Sequence, residues 1–303
     1  MFSSAKKATR WTKKRIKINL KATKPIDCTK YVHPADKNAL DALKKIPLLD
    51  VICKKAMSFI NEAADRLSCM SSMIHITEKQ LPRVYRMVES ISRKLGIEVP
   101  ELFLEWSGDP NAYTFGVEKY SIVITSGLLD CLEDDEIYAV LAHECGHIVC
   151  NHVLYQTIGR ILLSGSSKGL KSLSEKIPGL VGALVGGAVS TLDSALELAF
   201  FRWMRCSELS ADRIAAICCG SATPVVEAMM RLAGGTVHLS SEIDTELFVS
   251  QAEEYHQMMS DSKANKLLAY WLNKGNTHPV YAVRAYDARQ FAASEEFKSA
   301  MKA

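Results

Sequence analysis

The stretch AVLAHECGHIVCNH, Ala139 to His152, limits what this chain can fold into more than any other part of it. His143 and His147 stand four residues apart, and Glu144 directly follows the first. In an α-helix, residues four apart lie one turn apart on nearly one face, so both imidazoles can reach a single ion. Glu144 is one step round the helix, poorly placed as a third ligand but within reach of a water on that ion, where it can act as a base. The flanks agree with a helix. Glu133, Asp134, Asp135 and Glu136 suit its N-terminus, and Ile137, Val140, Leu141 and Ile148 give it an apolar face.

A catalytic zinc ion takes three protein ligands and keeps one position open, so a third ligand is required. The extended pattern HExxHxxGxxH would need Gly at 150 and His at 153, but Cys150 and Val153 stand there. The other solution is a glutamate on a second helix, and CSELSADRIAA, Cys206 to Ala216, offers Glu208 with Asp212 four residues later on the same face. Glu208 can ligate while Asp212 accepts an N–H from a zinc histidine and fixes its tautomer. His152 is a conceivable fourth ligand, but five positions after His147 it points round the helix, and a local hydrogen-bonding role is expected for it.

Four stretches, in this order, carry a family resemblance: NAYTFG at Asn111 to Gly116, IVITSGLLD followed by LAHECGH, ELSAD, and THPVYAVR at Thr277 to Arg284. Together they resemble the M48 zinc metallopeptidases, the HExxH gluzincin family of the HtpX-like and Ste24-like proteases. The resemblance runs from about Asn111 to Arg284. It implies one zinc ion per chain on His143, His147 and Glu208, with Glu144 as catalytic base and Asp212 behind a zinc histidine. It also places His278, with Arg284, in the apparatus that stabilises the transition state. The implied reaction is peptide-bond hydrolysis by Glu144-assisted attack of a zinc-bound water, with protein or peptide as substrate. NAYTFG is expected to form an edge strand, with Asn111, Ala112 and Tyr113 pairing an extended peptide by main-chain bonds.

The expected fold class is α+β, mainly helical and zincin-like, with a small antiparallel sheet beside the HExxH helix. VPELFLEW (Val99 to Trp106) and YSIVITSG (Tyr120 to Gly127) are β-rich runs around the turn-forming SGDPNA. Helical spacing covers Asp41 to Leu67 and Thr77 to Leu95, the second with Thr77 as N-cap and Gly96 as stop. With 303 residues and 48% hydrophobic content the chain can bury a substantial core. Residues 1–40 are read as a basic tail and 41–303 as the metallopeptidase domain, comprising a helical lead-in at 41–96 and a catalytic core from about 97 to 290.

Charge is uneven. Met1 to Ile26 holds nine basic residues and no acid, while the whole chain totals +3, so a basic tail precedes a mildly acidic body. Such a run can touch an anionic membrane surface, and no specific nucleic-acid partner is expected. No apolar core follows these charges, so a secretory signal peptide is not expected; an organellar presequence is a minor alternative. IPGLVGALVGGAVSTL, Ile177 to Leu192, is free of charge for 16 residues. A bilayer span needs about 20, so a buried or interfacial hairpin is expected, with membrane contact through residues 177–200 as the second reading. The nine cysteines form no CxxC pair and read as reduced, mostly buried thiols. That composition points to a reducing compartment, cytoplasmic with or without membrane association. The competing class is a catalytically silent scaffold or membrane-docking protein, and Glu144 argues against it.

Overall fold

The computed structural model describes residues 24–46, 49, 53–54, 57, 61–163, 188–234, 242–262 and 280–302. Most of the basic tail and most of the charge-free stretch after Ile177 lie outside the described residues, as does His278.

Helix α1, Pro34–Lys44, starts on a proline at its first position, with the His33 ring accepting from the Ala35 amide. It falls inside the span read as tail. From Ile26 onward that span packs on the body, because Cys28, Tyr31 and Asp36 are buried and the Ile26 amide bonds the Lys94 carbonyl. Helix α2, Glu62–Ser72, leads into strand β1, Ile74–Ile76. Thr77 is not the N-cap of the next helix. Its hydroxyl closes a turn by accepting from the Lys79 and Gln80 amides, and helix α3, Pro82–Leu95, begins five residues later. A residue before proline is kept out of the α region, so Leu81 cannot join the helix that Pro82 opens. Gly96 ends α3 in the left-handed conformation at φ 69°, as its position implies.

The sheet contains β1, β2 (Glu101–Glu105), β3 (Ala112–Phe115) and β4 (Ser121–Thr125) in the order β1-β2-β4-β3. It is mixed rather than antiparallel throughout. The chain reverses twice between β2 and β4, and β3 pairs antiparallel on the outside of β4, so β2 and β4 run the same way. β3 therefore lies at the edge of the sheet.

Helix α4, Ser126–Cys131, follows β4 directly, and α5, Asp134–Val149, carries the HExxH residues. Glu136 in the first turn of α5 accepts from the Glu133 amide at 2.7 Å, closing the acidic N-terminus. Next come α6 (His152–Leu163), α7 (Ala188–Cys219), α8 (Thr223–Ala233), α9 (Thr245–Asp261), α10 (Tyr281–Ala293) and α11 (Glu295–Ala300). The main core joins one face of the sheet to α3, α5, α7, α8 and α10 through residues such as Ile91, Ile122, Leu141, Ile214 and Ala285. Gly146 sets the distance between α5 and α7. A Cβ there would sit 3.1 Å from the Ala211 Cα and 3.2 Å from its carbonyl oxygen, a tight contact that would push the two backbones apart by a few tenths of an ångström. Among the described residues no helix is long and apolar enough to cross a membrane.

Candidate metal and catalytic centre

The close approach of α5 to α7 brings the two halves of the site together. His143 and His147 on α5 face Glu208 on α7, and one donor atom from each lies within 4.8 Å of the others. His143 Nε2 is 3.4 Å from Glu208 Oε2, His147 Nε2 is 3.2 Å from Oε1, and the two Nε2 atoms are 3.1 Å apart. All three residues are buried. The far nitrogen of each ring is already engaged: His143 Nδ1 lies 2.8 Å from Asp212 Oδ1, and His147 Nδ1 lies 3.0 Å from His152 Nδ1.

That arrangement fits a divalent cation. Two imidazole nitrogens this close, facing one carboxylate, make a three-donor set of the type zinc takes. Burial opposes charge on His143, but the carboxylates of Asp212 and Glu208 outweigh it and raise the imidazole to about 10. Burial holds His147 below its ordinary value, against the pull of Glu208.

The acids are held in turn. Arg284 on α10 donates from Nε to Asp212 Oδ2 at 2.8 Å and from Nη2 to Oδ1 at 2.6 Å, and its Nη1 lies 2.9 Å from Glu208 Oε2. Burial would raise the Asp212 carboxyl, but the guanidinium beside it prevails and holds it below the usual range. Because all of these groups are buried, removing either partner would leave an uncompensated charge, a loss of about 3–5 kcal/mol in comparable pairs. Arg284 thus grips the carboxylates that face the histidines, rather than standing free to meet a substrate carbonyl.

The chain belongs to peptidase family M48. The family model matches residues 78–292, which contain every group described so far in this site. Membership makes this chain a metallopeptidase, a hydrolase of protein or peptide substrates. It is 28% identical over 285 residues to the plastoglobule-localized metallopeptidase 48, chloroplastic, of Arabidopsis thaliana, covering 92% of this chain and 77% of that protein. It is also 31% identical over 172 residues to the protease HtpX homolog of Halobacterium salinarum, covering 52% of this chain and 56% of that one. The crystal structure of S. mikatae Ste24p aligns over 84% of this chain and 62% of that chain, at 18% identity and a TM-score of 0.43.

Around the three-donor set, this M48 chain places Glu144 beside His143 on the wall of a pocket. Thr114 on β3 donates to Glu144 Oε2 at 2.6 Å. Asn111 and Ala112 line the same pocket, whereas Tyr113 does not. Its ring packs near Phe115 and against the cluster of Cys69, Phe103 and Val123, across the sheet from Glu144. Alternation along β3 explains this: Ala112 and Thr114 are buried toward the helices, so Tyr113 must face away. The same alternation is the signal that would have found Thr114, which sequence reasoning missed. His152 lies at His147 Nδ1, not at the donor cluster, so it is no fourth member of the set. It begins a new helix after a break at Asn151, and therefore reaches back instead of pointing round α5. Gln156, Asp36 and Tyr281 were also missed. Tyr281 lines the pocket with Arg284, while Gln156 Nε2 stands 3.2 Å from His147 Nδ1.

Proposed function

We propose that this chain is a zinc-dependent endopeptidase in which His143, His147 and Glu208 hold one zinc ion and Glu144 is the general base. The observation that carries this reading is the buried three-donor set with Glu144 at its side, opening on a pocket bordered by an edge strand. When bound, zinc supplies Lewis acidity, polarising the peptide carbonyl and lowering the pKa of a water to about 7. Glu144, oriented by the Thr114 hydroxyl on Oε2, takes the proton from the attacking water and returns it to the leaving amine. Asp212 and Arg284 keep His143 and Glu208 in place. An extended peptide adds to the outer edge of β3 along Asn111 to Tyr113, with Tyr113 contributing main chain only. Leu128, Val140, Val225, Met229 and Leu232 line the pocket, so the side chain beside the scissile bond is apolar. His278 donates to the developing oxyanion, and the metallopeptidase domain begins before residue 40, near Ile26. We place the protein in the cytoplasm or at a membrane periphery, a location that cell fractionation tests.

The deciding experiment compares wild type with Glu144→Gln for zinc content and casein cleavage. Both proteins should carry one zinc per chain, and only wild type should cleave. Cleavage retained by Glu144→Gln would remove the general base from the mechanism, and a wild-type protein without zinc would remove the metal. The silent-scaffold reading has no observation in its favour among the described residues.

A further inference from the structure

The second nitrogen of His147 is not held as that of His143 is. His143 donates straight to a carboxylate on α7, but His147 Nδ1 meets another imidazole, His152 Nδ1, at 3.0 Å. The far side of that ring, His152 Nε2, lies 2.9 Å from Oδ2 of Asp36 on α1. Ser210 Oγ donates to the same oxygen at 2.6 Å, and Trp203 Nε1 donates to Asp36 Oδ1 at 3.0 Å. The Ser210 hydroxyl in turn accepts from the His33 amide, so its own proton is committed to Asp36. His147, His152 and Asp36 are all buried. The chain reaches this geometry because Asn151, at φ 58°, breaks the helix and turns His152 back toward His147.

The proton count sets the direction of each bond. A neutral histidine that ligates through Nε2 carries its proton on Nδ1, so His147 Nδ1–H must donate. The acceptor is then the Nδ1 lone pair of His152, which leaves the His152 proton on Nε2, donating to Asp36. Trp203 can only donate, Ser210 donates, and His152 donates: three donors meet two oxygens, and only a carboxylate accepts them all. Gln156 fits the same scheme with its amide oxygen turned toward His147, since its N–H groups cannot face another donor.

We propose that Asp36 and His152 are positioning residues of the metal centre. With His147 they form a carboxylate–imidazole–imidazole chain that holds the His147 proton on Nδ1 and its Nε2 lone pair toward the metal. The proposal rests on the reading of His143, His147 and Glu208 as a zinc set. It ties α1, which precedes the residues matched by the family model, into the site. Both ligating histidines then end on a carboxylate, one directly and one through a relay.

The test uses the full chain as wild type, His152→Leu, His152→Gln and Asp36→Asn, reading zinc affinity by competition with a chromogenic chelator. Wild type should bind one zinc, and His152→Leu should weaken binding 10- to 100-fold, the usual effect of losing a partner behind a ligand. His152→Gln should recover most of that loss, because its amide oxygen can accept from His147 while its N–H donates to Asp36. Asp36→Asn should weaken binding, since an amide cannot accept from all three donors. Long-range nitrogen–proton NMR of the zinc-loaded wild type should show His152 neutral with its proton on Nε2, a readout that needs no variant to fold. A His152 proton on Nδ1, or wild-type affinity in both His152→Leu and Asp36→Asn, would overturn the relay and leave the metal reading standing. Wild type that binds no zinc would overturn both.

Discussion

His278 is the residue outside the three donors for which we propose a role in the transition state. It is not needed to complete the three donors, and it stands three residues before α10, whose Tyr281 and Arg284 line the pocket. Pro279 follows it in the sequence, and a residue before proline favours extended backbone. An oxyanion donor acts only in the transition state, so His278→Ala should keep zinc and bind substrate nearly normally while kcat falls by roughly 10²- to 10³-fold. Steady-state kinetics separates the alternatives: a raised KM at constant kcat makes His278 a ground-state binding residue, and full activity removes it from the site. Arg284 is the contrasting case, because its three contacts to Asp212 and Glu208 are all made within the protein itself.

Among the elements, the α5–α7 contact decides whether a site exists. α5 supplies His143, Glu144 and His147, and α7 supplies Glu208 and Asp212, so the donor set depends on the spacing that Gly146 permits against Ala211. The two nearest atoms a side chain would meet, the Ala211 Cα and carbonyl oxygen, are backbone and cannot turn aside. Gly146→Val should therefore force the helices apart, at a cost of about 1–3 kcal/mol typical of overpacking, and lower zinc affinity at least tenfold by moving Glu208 away from the histidines. Thermal melting with and without zinc, alongside chelator competition, reads both effects. Wild-type affinity in a folded Gly146→Val protein would mean that the contact does not set the ligand geometry. β3 acts in the same way for Glu144, because its alternation turns Thr114 toward that carboxylate and Tyr113 away from it.

Across the whole molecule, the proposed role of Asp36 makes two amino-terminal truncations differ. Deleting residues 1–23 should leave turnover of a short neutral peptide within about twofold, as remote changes usually do. Deleting residues 1–40 also removes Asp36 and should weaken zinc binding. Equal turnover and zinc affinity in the two truncations would remove α1 from the site. The core makes a second global prediction. Burial pushes the Cys28 thiol up to about 12 and raises those of Cys145 and Cys218 as well. In the unfolded chain these thiols ionise near their ordinary value of 9.0, so above that pH the unfolded state sheds protons the folded state keeps. Their contribution to stability is fully present below about pH 9 and falls as pH rises toward 12. The urea midpoint should drop between pH 8 and pH 10, and Cys28, Cys145 and Cys218 should resist iodoacetamide in the native protein at pH 8. Rapid labelling of those three thiols without unfolding would contradict their burial.

Local features were legible in the residues themselves. Four-residue spacing is a property of helix geometry, so the pairing of His143 with His147 and of Glu208 with Asp212 could be read from the chain alone, as could the stop at Gly96 and the two β-rich runs of β2 and β4. The edge position of NAYTFG was implied by the family resemblance of that motif, not by local pattern. What the sequence could not supply was direction and distance between segments far apart in the chain. The parallel pairing of β2 with β4 arises from how β3 folds back, and no local propensity encodes it. Leu81 before Pro82, and Asn151 between α5 and α6, are single-residue conformations that break patterns otherwise continuous in sequence. Asp36 lay in a span that read as solvated tail, and it gains its role only because folding buries it beside Trp203, Ser210 and His152, residues 116 to 174 positions away. Periodicity follows from the geometry of one helix or strand and so can be read in sequence, whereas contacts between elements depend on packing that the tertiary fold alone decides.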